Sequence, residues 1–253
     1  MSFVSRYTTT DAIVLRVARF GEYHKRLSLL TVELGIIDAV AYGAFKSRSK
    51  LSGVSDPFGR ISAHLYYEPV KKNYKLTDAE PISFFPEIRN DVKRYYAASL
   101  LCEVVLKTYA GGDEHRRLHA TLLDSFALLE HANDSECDYL LTQSLFRFLT
   151  VIGYPPELAH CSMCGKQIGR ADHLYVSHGG VVTCGSCKSP ESSLLSAGAR
   201  AYLVHTEHMK LNEALTVSLD ERSRKGVKTS IIRIVQGIIE TPLSTVRSAG
   251  GLL

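Results

Sequence analysis

The sequence predicts a multidomain α+β protein made of a small β-barrel, a helical bundle and a cysteine module inserted into the bundle. Three observations support this prediction. Short segments rich in β-branched and aromatic residues fill the first 80 residues. From residue 87 apolar residues recur with a helical period, and two CxxC pairs lie between residues 161 and 187. The predicted domains are 1–82 for the barrel, 83–157 with 191–253 for the helical domain, and 158–190 for the cysteine module.

Stretches containing glycine or proline separate the predicted strands of the barrel. The strands are 11–19, 26–32, 36–43, 60–68 and 74–82. Five short strands fit a small closed barrel, and the five-stranded OB-fold is a common barrel of this size. We therefore predict an N-terminal OB-fold β-barrel, with an SH3-like barrel as the alternative that the pattern leaves open.

Five stretches with helical spacing predict the bundle: 87–110, 114–129, 135–152, 196–203 and 223–240. The first is apolar nearly all round, which is typical of a helix buried on most sides, and Gly111-Gly112 ends it. We expect Asp113 to cap the second helix and the run EHRRLH at 114–119 to form a solvated first turn. Ser196 is the expected cap of the fourth helix.

The most specific pattern in the chain is C-x2-C-x19-C-x2-C, formed by Cys161, Cys164, Cys184 and Cys187. Each CxxC turn brings two thiolates to one side of a knuckle, and two knuckles complete a tetrahedral four-cysteine zinc site. Gly179-Gly180 predicts a hairpin turn that returns the second pair to the first. The pattern therefore predicts a zinc ribbon that holds one structural Zn²⁺. A redox dithiol, an iron–sulfur centre and vacant thiols are the alternatives.

The net charge of +4 belongs to the first third of the chain, where residues 1–80 hold 12 Lys and Arg against 8 Asp and Glu. The stretches 43–54 and 66–77 carry much of this charge, and the second one includes tyrosines. Cations neutralise phosphates and tyrosine rings stack on bases. Each stretch alone is more simply a solvated turn, but together on an OB barrel they favour nucleic-acid binding. The candidate binding residues are Arg19, Lys25, Arg26, Lys46, Arg48, Lys50, Lys71, Lys72, Tyr74 and Lys75.

The composition also points away from some classes of protein. The longest apolar run, at 97–106, is too short to span a bilayer, and the first residues lack the apolar core of a secretory signal. We therefore expect a cytoplasmic protein, no membrane partner and reduced thiols. There is no P-loop, no nucleophile elbow and no convincing pair of carboxylates, so the sequence predicts no enzyme.

Several stretches occur in an order that resembles a known family: IVLR (13–16), FGE (20–22), AYGA (41–44), PF (57–58), CGSC (184–187) and PLSTVRS (242–248). The chain resembles the RecO family of bacterial recombination mediators and DNA-repair proteins. The resemblance implies an OB domain, a helical domain and an inserted zinc module, matching the architecture above. It also implies binding of single- and double-stranded DNA, annealing of complementary strands, and no bond-making or bond-breaking reaction. The implied partners are RecR, single-stranded-DNA-binding protein and, indirectly, RecA, with a nucleoid-associated location.

The sequence departs from this family at 51–58, where LSGVSDPF replaces a leucine-rich run, and in a less basic tail. Two other functions compete with a DNA-binding mediator. A zinc-ribbon transcription regulator would bind one duplex sequence far more tightly than others. A metal- or redox-dependent enzyme would need an open metal position or a titratable thiol.

Overall fold

The structure is a computed structural model that describes residues 6–109, 111–239 and 241–253. The chain divides into two compact units, one of Met1–Pro86 with Tyr109–Leu123 and one of Glu87–Thr108 with Asp124–Leu253. The three domains expected from the sequence, with bounds at 82, 157 and 190, stay a prediction. Among the helices that the structure describes, none has the length and apolarity needed to cross a membrane.

The first unit contains a closed five-stranded barrel in the order β1-β2-β3-β5-β4, which confirms the predicted OB-like barrel. Strands β3 and β5 pair in parallel, and the other neighbours are antiparallel. A short helix, α1 (Leu51–Val54), lies between β3 and β4 in the chain. The strands are β1 (Tyr7–Phe20), β2 (His24–Thr31), β3 (Gly35–Ala41), β4 (Arg60–Glu68) and β5 (Asn73–Ser83).

The strands direct a set of apolar side chains into the barrel interior, because successive side chains of a strand point to opposite sides of the barrel wall. Alanines and larger aliphatic residues take turns inside, which suits the narrow interior of a small barrel. The buried set includes Ala12, Val14, Leu27, Leu29, Ala39, Ala41, Ile61, Ala63, Leu65 and Leu76. Residues 12–15 of β1 and 27–31 of β2 are buried without interruption, whereas residues 18–20 at the end of β1 are exposed. Side chains that a ligand can reach therefore lie at the ends of these strands.

The strand register brings several strand ends together. Phe20 at the end of β1 pairs with His24 at the start of β2, and Lys25 pairs with Ala41 at the end of β3. Val40 of β3 pairs with Lys75 near the start of β5. The loops 21–23 and 42–50, and the first residues of β5, are therefore neighbours.

Residues 114–119 differ from the expected solvated turn. Helix α4 (His115–Leu129) begins two residues after Asp113, so the predicted cap at Asp113 is wrong. His115 and His119 are buried, and Arg116 and Arg117 are the exposed residues of the run. His115 lies 2.9 Å from the carbonyl oxygens of Gly112 and Val32, and burial lowers the pKa of His119. These histidines pack residues 109–123 within the first unit.

The second unit contains most of the helices, and helices form within all five predicted stretches. The first stretch, 87–110, forms two helices rather than one, and residues 110 and 240 of the predicted stretches lie outside the described residues. Ser196 caps α6 as expected, because its hydroxyl accepts a hydrogen bond from the amide of Ala199. Asn133 and Glu136 form a capping box at the start of α5. Besides α1 and α4, the described helices are α2 (Pro86–Asn90), α3 (Val92–Thr108), α5 (Asp134–Val151), α6 (Ala197–Thr206), α7 (Leu211–Ala214), α8 (Glu221–Ile239) and α9 (Ser244–Ser248).

A small sheet with the strand order β7-β6-β8 accompanies these helices. It consists of β6 (Leu174–Val176), β7 (Val182–Thr183) and β8 (Ser193–Leu195). Strands β6 and β7 form the hairpin predicted around Gly179-Gly180. The third strand, β8, pairs with β6 and was not predicted from the sequence.

One buried carboxylate joins three elements of the second unit. The carboxylate of Asp138 on α5 lies 3.2 Å from Nζ of Lys93 and 2.9 Å from Nζ of Lys228. Its other oxygen lies 3.8 Å from Nε of Arg224. All four side chains are less than a fifth exposed. Asp138 therefore compensates cations from α3 and α8 in a largely dry environment.

We expect Asp138→Asn to lower the free energy of unfolding by about 3–5 kcal/mol, because it leaves buried cations without their counter-charge. Urea unfolding followed by helical circular dichroism measures this change. The control is Glu221→Gln, which breaks the exposed Lys225–Glu221 pair on α8 and should change stability little. Equal shifts for the two variants would contradict a stabilising role for Asp138.

Candidate metal centre and nucleic-acid surface

The four cysteines of the two CxxC pairs converge on one point. Their Sγ atoms all lie within 4.8 Å of one another, and those of Cys164 and Cys184 are 3.9 Å apart. A tetrahedral ion with Zn–S bonds of about 2.3 Å places its sulfurs about 3.8 Å apart. The cluster could therefore hold a metal ion with four thiolate ligands.

Backbone amides shape the two knuckles. Gly165 donates to the carbonyl of Cys161 across the first turn, and Cys187 donates to the carbonyl of Cys184 across the second. Gly165 has a φ of +70°, which glycine adopts without strain. The amide of Cys184 also donates to Sγ of Cys161 at 3.2 Å, so the two knuckles are tied together.

The electrostatics of the cluster favour a cation. Desolvation acts to raise the pKa of Cys161, but amide donors from Cys184, Cys164 and Met163 outweigh it and lower that pKa to about 6. The pKa of Cys184 is also lowered, whereas hydrogen bonds to the sulfurs of Cys164 and Cys184 raise the pKa of Cys187 to about 12. Thiols this close do not all ionise without a positive ion among them. A metal cation held among the four sulfurs would supply that charge.

The hairpin between the knuckles packs closely against α8. A Cβ atom at Gly237 of α8 would lie 2.1 Å from the carbonyl oxygen of Gly179, and one at Gly180 would lie 2.9 Å from the carbonyl oxygen of Arg233. Only glycine fits where two backbones approach this closely. Gly179-Gly180 is therefore both the hairpin turn and a contact with α8.

Two arginines fix the cysteine module within the second unit. Arg200 of α6 is buried and donates to the carbonyls of Leu158, Ile168 and Gly169. Arg233 of α8 donates to the carbonyls of Val176 and Glu191 at 3.1 and 2.7 Å. The backbone of the module thus satisfies two guanidinium groups, and its unfolding would leave them without these acceptors.

Most of the candidate binding residues on the barrel are exposed. Tyr74 and Lys75 are half-buried, and Lys75 donates to the carboxylate of Glu68 at 2.7 Å. This hydrogen bond raises the pKa of Lys75, which stays an ammonium, and the negative charge of Glu68 offsets part of its attraction for a phosphate. The exposed residues are Arg19, Arg26, Lys46, Arg48, Lys50, Lys71 and Lys72.

Lys25 does not have the exposure that a binding role requires. It is 4% exposed, and its ammonium donates to the carbonyl of Ser52 and to the carboxylate of Asp56, both at 2.8 Å. A buried lysine needs such partners to stay charged. Lys25 therefore stabilises the barrel and does not belong to the binding set.

Aromatic residues that the sequence analysis did not select surround the exposed cations. The guanidinium of Arg26 lies 5.0 Å from the ring of Phe20, and that of Arg19 lies 6.0 Å from the ring of Phe45. Nζ of Lys46 lies 5.8 Å from the ring of Tyr23. We call this group, with two further rings, the aromatic–basic surface: Arg19, Phe20, Tyr23, His24, Arg26, Tyr42, Phe45 and Lys46.

The rings of the aromatic–basic surface are accessible to solvent. Phe20, Tyr23, Tyr42 and Phe45 are 38%, 50%, 42% and 47% exposed. The rings of His24 and Tyr42 are 4.9 Å apart in an edge-on arrangement. Exposed aromatic rings beside cations present faces on which bases stack and charges that neutralise phosphates.

A second set of rings, the tyrosine group, lies on β1, β4 and β5. The rings of Tyr67 and Tyr74 are 5.2 Å apart, and those of Tyr7 and Tyr66 are 5.0 Å apart. Nζ of Lys75 lies 5.4 Å from the ring of Tyr66. Lys75 pairs with Val40 of β3, two residues before Tyr42, so this group adjoins the aromatic–basic surface.

The loops that carry the remaining cations turn tightly. Arg48 has a φ of +80° and Lys72 a φ of +49°, a region that residues other than glycine rarely occupy. Strained backbone of this kind clusters at binding sites and switch regions. Both residues belong to the candidate binding set.

Comparison with known proteins gives a family match along nearly the whole chain. The family model described as "Recombination protein O N terminal" matches residues 1–85, and that described as "Recombination protein O C terminal" matches residues 89–245. Three similar proteins are each called DNA repair protein RecO. The one from Heliobacterium modesticaldum is 32% identical over 213 residues, which cover 81% of this chain and 75% of the relative.

The other two relatives are more distant and cover more of the chain. The protein from Clostridium acetobutylicum is 25% identical over 228 residues, 90% of this chain and 89% of the relative. The protein from Alkaliphilus metalliredigens is 25% identical over 235 residues, 89% of this chain and 94% of the relative. The similarity therefore includes both the barrel and the unit that carries the cysteines.

Proposed function

Because this chain belongs to the RecO family of DNA repair and recombination proteins, we propose that it is a non-enzymatic DNA-binding recombination mediator. It would bind single- and double-stranded DNA and anneal complementary strands. With RecR and single-stranded-DNA-binding protein it would help to load RecA. The aromatic–basic surface of the barrel is the observation that supports DNA binding most strongly.

The chemistry of that surface suits single-stranded DNA. Arg19, Arg26 and Lys46 each lie beside an exposed ring, so a strand crossing them meets a cation for its backbone and a face for its bases. Stacking on aromatic rings tolerates any base, because every base has a π-face. We therefore propose binding without strong sequence preference, which distinguishes this function from that of a sequence-specific transcription regulator.

Annealing follows from the same charges. The exposed cations of the loops at 42–50 and 69–72 would neutralise the backbones of two strands and lower their mutual repulsion. Tyr7 and Tyr67, the exposed members of the tyrosine group, would give a second strand rings to stack on. No covalent step is required, and we propose no catalytic residue.

We propose that Cys161, Cys164, Cys184 and Cys187 hold one structural Zn²⁺. The ion would supply the cross-link that folds the module. Four thiolates fill a tetrahedral shell and leave no position for water or substrate, which supports a scaffold role. Because such thiolates need a reducing compartment, we also propose a cytoplasmic, nucleoid-associated location.

The DNA-binding proposal is tested by removing rings rather than charges. We expect Phe20→Ala with Tyr42→Ala to weaken binding of a labelled single strand about tenfold or more, since stacking contributes about 1–3 kcal/mol per base. The dependence of affinity on salt should stay unchanged, because the double variant keeps every cation that faces a phosphate. Fluorescence anisotropy at several salt concentrations measures both quantities.

Tyr154→Ala provides the control, since Tyr154 is 59% exposed and lies in the second unit. Equal affinity of the double variant and this control would contradict stacking on the aromatic–basic surface. Tight binding to one duplex sequence, with weak binding to unrelated single strands, would favour the transcription regulator.

A further inference from the structure

A cavity of about 520 Å³ lies within the second unit, lined by β8, the start of α6, the first turns of α8 and His173. Its size falls within the range of pockets that take small ligands, about 300–1,000 Å³. The lining side chains include two cations, one histidine and several hydroxyls, and none is a carboxylate. The polar groups that a ligand would meet there are His173, Ser196, Arg222, Ser223, Lys225 and Thr229.

The two cations of the cavity, Arg222 and Lys225, can interact with an anionic ligand. Within the described part of the chain, the guanidinium of Arg222 has no hydrogen-bond or ion-pair partner. Lys225 pairs with Glu221 at 2.6 Å, but both side chains are about two-thirds exposed, at 65% and 70%. Such a pair is weak and screened by solvent, so a ligand anion can compete for the lysine.

The neutral groups of the cavity add further donors. Nδ1 of His173 accepts a hydrogen bond from the amide of Ala197 at 3.0 Å. A neutral imidazole that accepts at Nδ1 carries its proton on Nε2, which is then a donor. The hydroxyls of Ser196 and Ser223 are 3.2 Å apart, and Ser196 also accepts from the amide of Ala199. Arg222, Lys225 and Nε2 of His173 therefore all offer hydrogen-bond donors to a ligand in the cavity.

We propose that this cavity binds the phosphate of a nucleotide, either free or as part of a DNA strand. Arg222 and Lys225 would supply charge-assisted hydrogen bonds to the phosphate oxygens, and His173 and Thr229 would add neutral donors. Guanidinium, ammonium and hydroxyl donors are the groups that proteins use for phosphate. The cavity has room for more than the phosphate alone. The site lies in the second unit and does not depend on DNA binding by the barrel.

The test is a titration of the intact ¹⁵N-labelled protein with inorganic phosphate and then with dAMP, followed by NMR. We expect saturable shifts of the amides of Ser223 and Gly226 and of the ring nitrogens of His173, with tighter binding of dAMP. Arg222→Ala should weaken binding about tenfold or more, as expected for the removal of a charge-assisted hydrogen bond. Arg222 is exposed, so this variant should fold normally.

Arg170→Ala is the matched control, since Arg170 is an exposed arginine of the same unit outside the cavity. Shifts that do not saturate, or equal affinities for the Arg222→Ala and Arg170→Ala variants, would overturn the proposal. Binding of an oligothymidylate identifies the source of the phosphate. Weaker oligonucleotide binding by Arg222→Ala assigns the cavity to the DNA strand, and an unchanged affinity with weaker dAMP binding assigns it to a free nucleotide.

The outcome is separable from that of the proposed function. Variants of the aromatic–basic surface leave the cavity intact, and Arg222→Ala leaves the barrel intact. Phosphate binding that persists in the Phe20→Ala, Tyr42→Ala variant therefore supports the cavity even where that variant fails to alter DNA binding.

Discussion

Replacing Cys161 by serine is expected to unfold the cysteine module and leave the barrel folded. Cys161 is 1% exposed, and its sulfur accepts the amide of Cys184, so it joins both knuckles. A structural zinc ion contributes an apparent free energy of about 10–16 kcal/mol in small zinc modules. The apolar core of residues 158–190 cannot replace that contribution. Its buried aliphatic side chains are Ile168, Leu174, Val176 and Val182.

The effect should extend into the helices of the second unit. Arg200 is 8% exposed, and the module supplies the carbonyls of Leu158, Ile168 and Gly169 as its acceptors. A buried guanidinium without acceptors is strongly unfavourable. Unfolding of the module therefore destabilises α6 as well. The barrel has its own buried core and is expected to keep its fold.

Hydrogen exchange measured by mass spectrometry resolves these regions. We expect Cys161→Ser to raise exchange in residues 158–190 and in α6, with unchanged exchange in β1 to β5. Chelator treatment of the unmodified protein should reproduce this pattern, and elemental analysis should find one zinc per chain before treatment. Cys137→Ser is the control, since Cys137 is a buried thiol outside the cluster.

Two outcomes would contradict the structural zinc. One is full protection of residues 158–190 in the Cys161→Ser variant. The other is rapid alkylation of the exposed Cys164 by iodoacetamide in the protein as purified, because a zinc-bound thiolate should resist alkylation until a chelator is added.

The elements that the sequence predicts well are those with a local signal. The strands of the barrel follow from short runs of β-branched, aliphatic and aromatic residues separated by glycine- and proline-containing breaks. Residues 60–68, predicted as a strand, are β4 with the same bounds. The cysteine cluster can be predicted equally well, because the spacing of each CxxC pair defines the geometry of a knuckle within a few residues.

Contacts between residues that are distant in the sequence could not be predicted from it. Lys25 pairs with Asp56, 31 positions later, and only the closure of the barrel makes that lysine internal. His119 is buried near Asp11, more than a hundred residues earlier in the chain, so the pattern of its run predicts a solvated turn. Strand β8 has only three residues and forms because β6 offers it an edge.

The aromatic–basic surface escapes the sequence pattern for a different reason. Phe20 and Tyr23 lie in FGEY, and Tyr42 and Phe45 lie in AYGAF, where glycine marks the end of a strand. Stretches of this kind indicate breaks between strands before they indicate a binding site. Phe20 is the last residue of β1 and Tyr42 directly follows the last residue of β3, and only the structure shows that both rings are exposed.

Reversing Lys46, Arg48 and Lys50 to glutamate is expected to lower the affinity for single-stranded DNA by more than any single-residue change. All three are exposed in the loop between β3 and α1, and Lys46 lies beside the ring of Tyr23. For each phosphate that the loop no longer neutralises, the log–log slope of affinity against salt should fall by about 0.7 for a single strand. Reversal also adds repulsion between the loop and the backbone, so the slope and the affinity fall together.

A matched control must have the same change in net charge. Arg116, Arg117 and Lys210 are exposed cations outside the candidate binding set, and reversing them to glutamate provides it. Binding measured over a range of salt concentrations compares the two triple variants. If the control weakens binding as much as the loop variant does, the effect belongs to net charge and the assignment to the loop is wrong.

An assay of strand annealing tests whether the charges of the loop at 42–50 are needed for function as well as for binding. We expect the Lys46, Arg48, Lys50 variant to lose annealing of complementary strands, because two backbones can approach only where their charge is neutralised. The Cys161→Ser variant should retain annealing in proportion to its folded barrel. If Cys161→Ser abolishes annealing while its barrel stays protected from hydrogen exchange, the second unit must contact DNA, and the barrel alone does not carry the function.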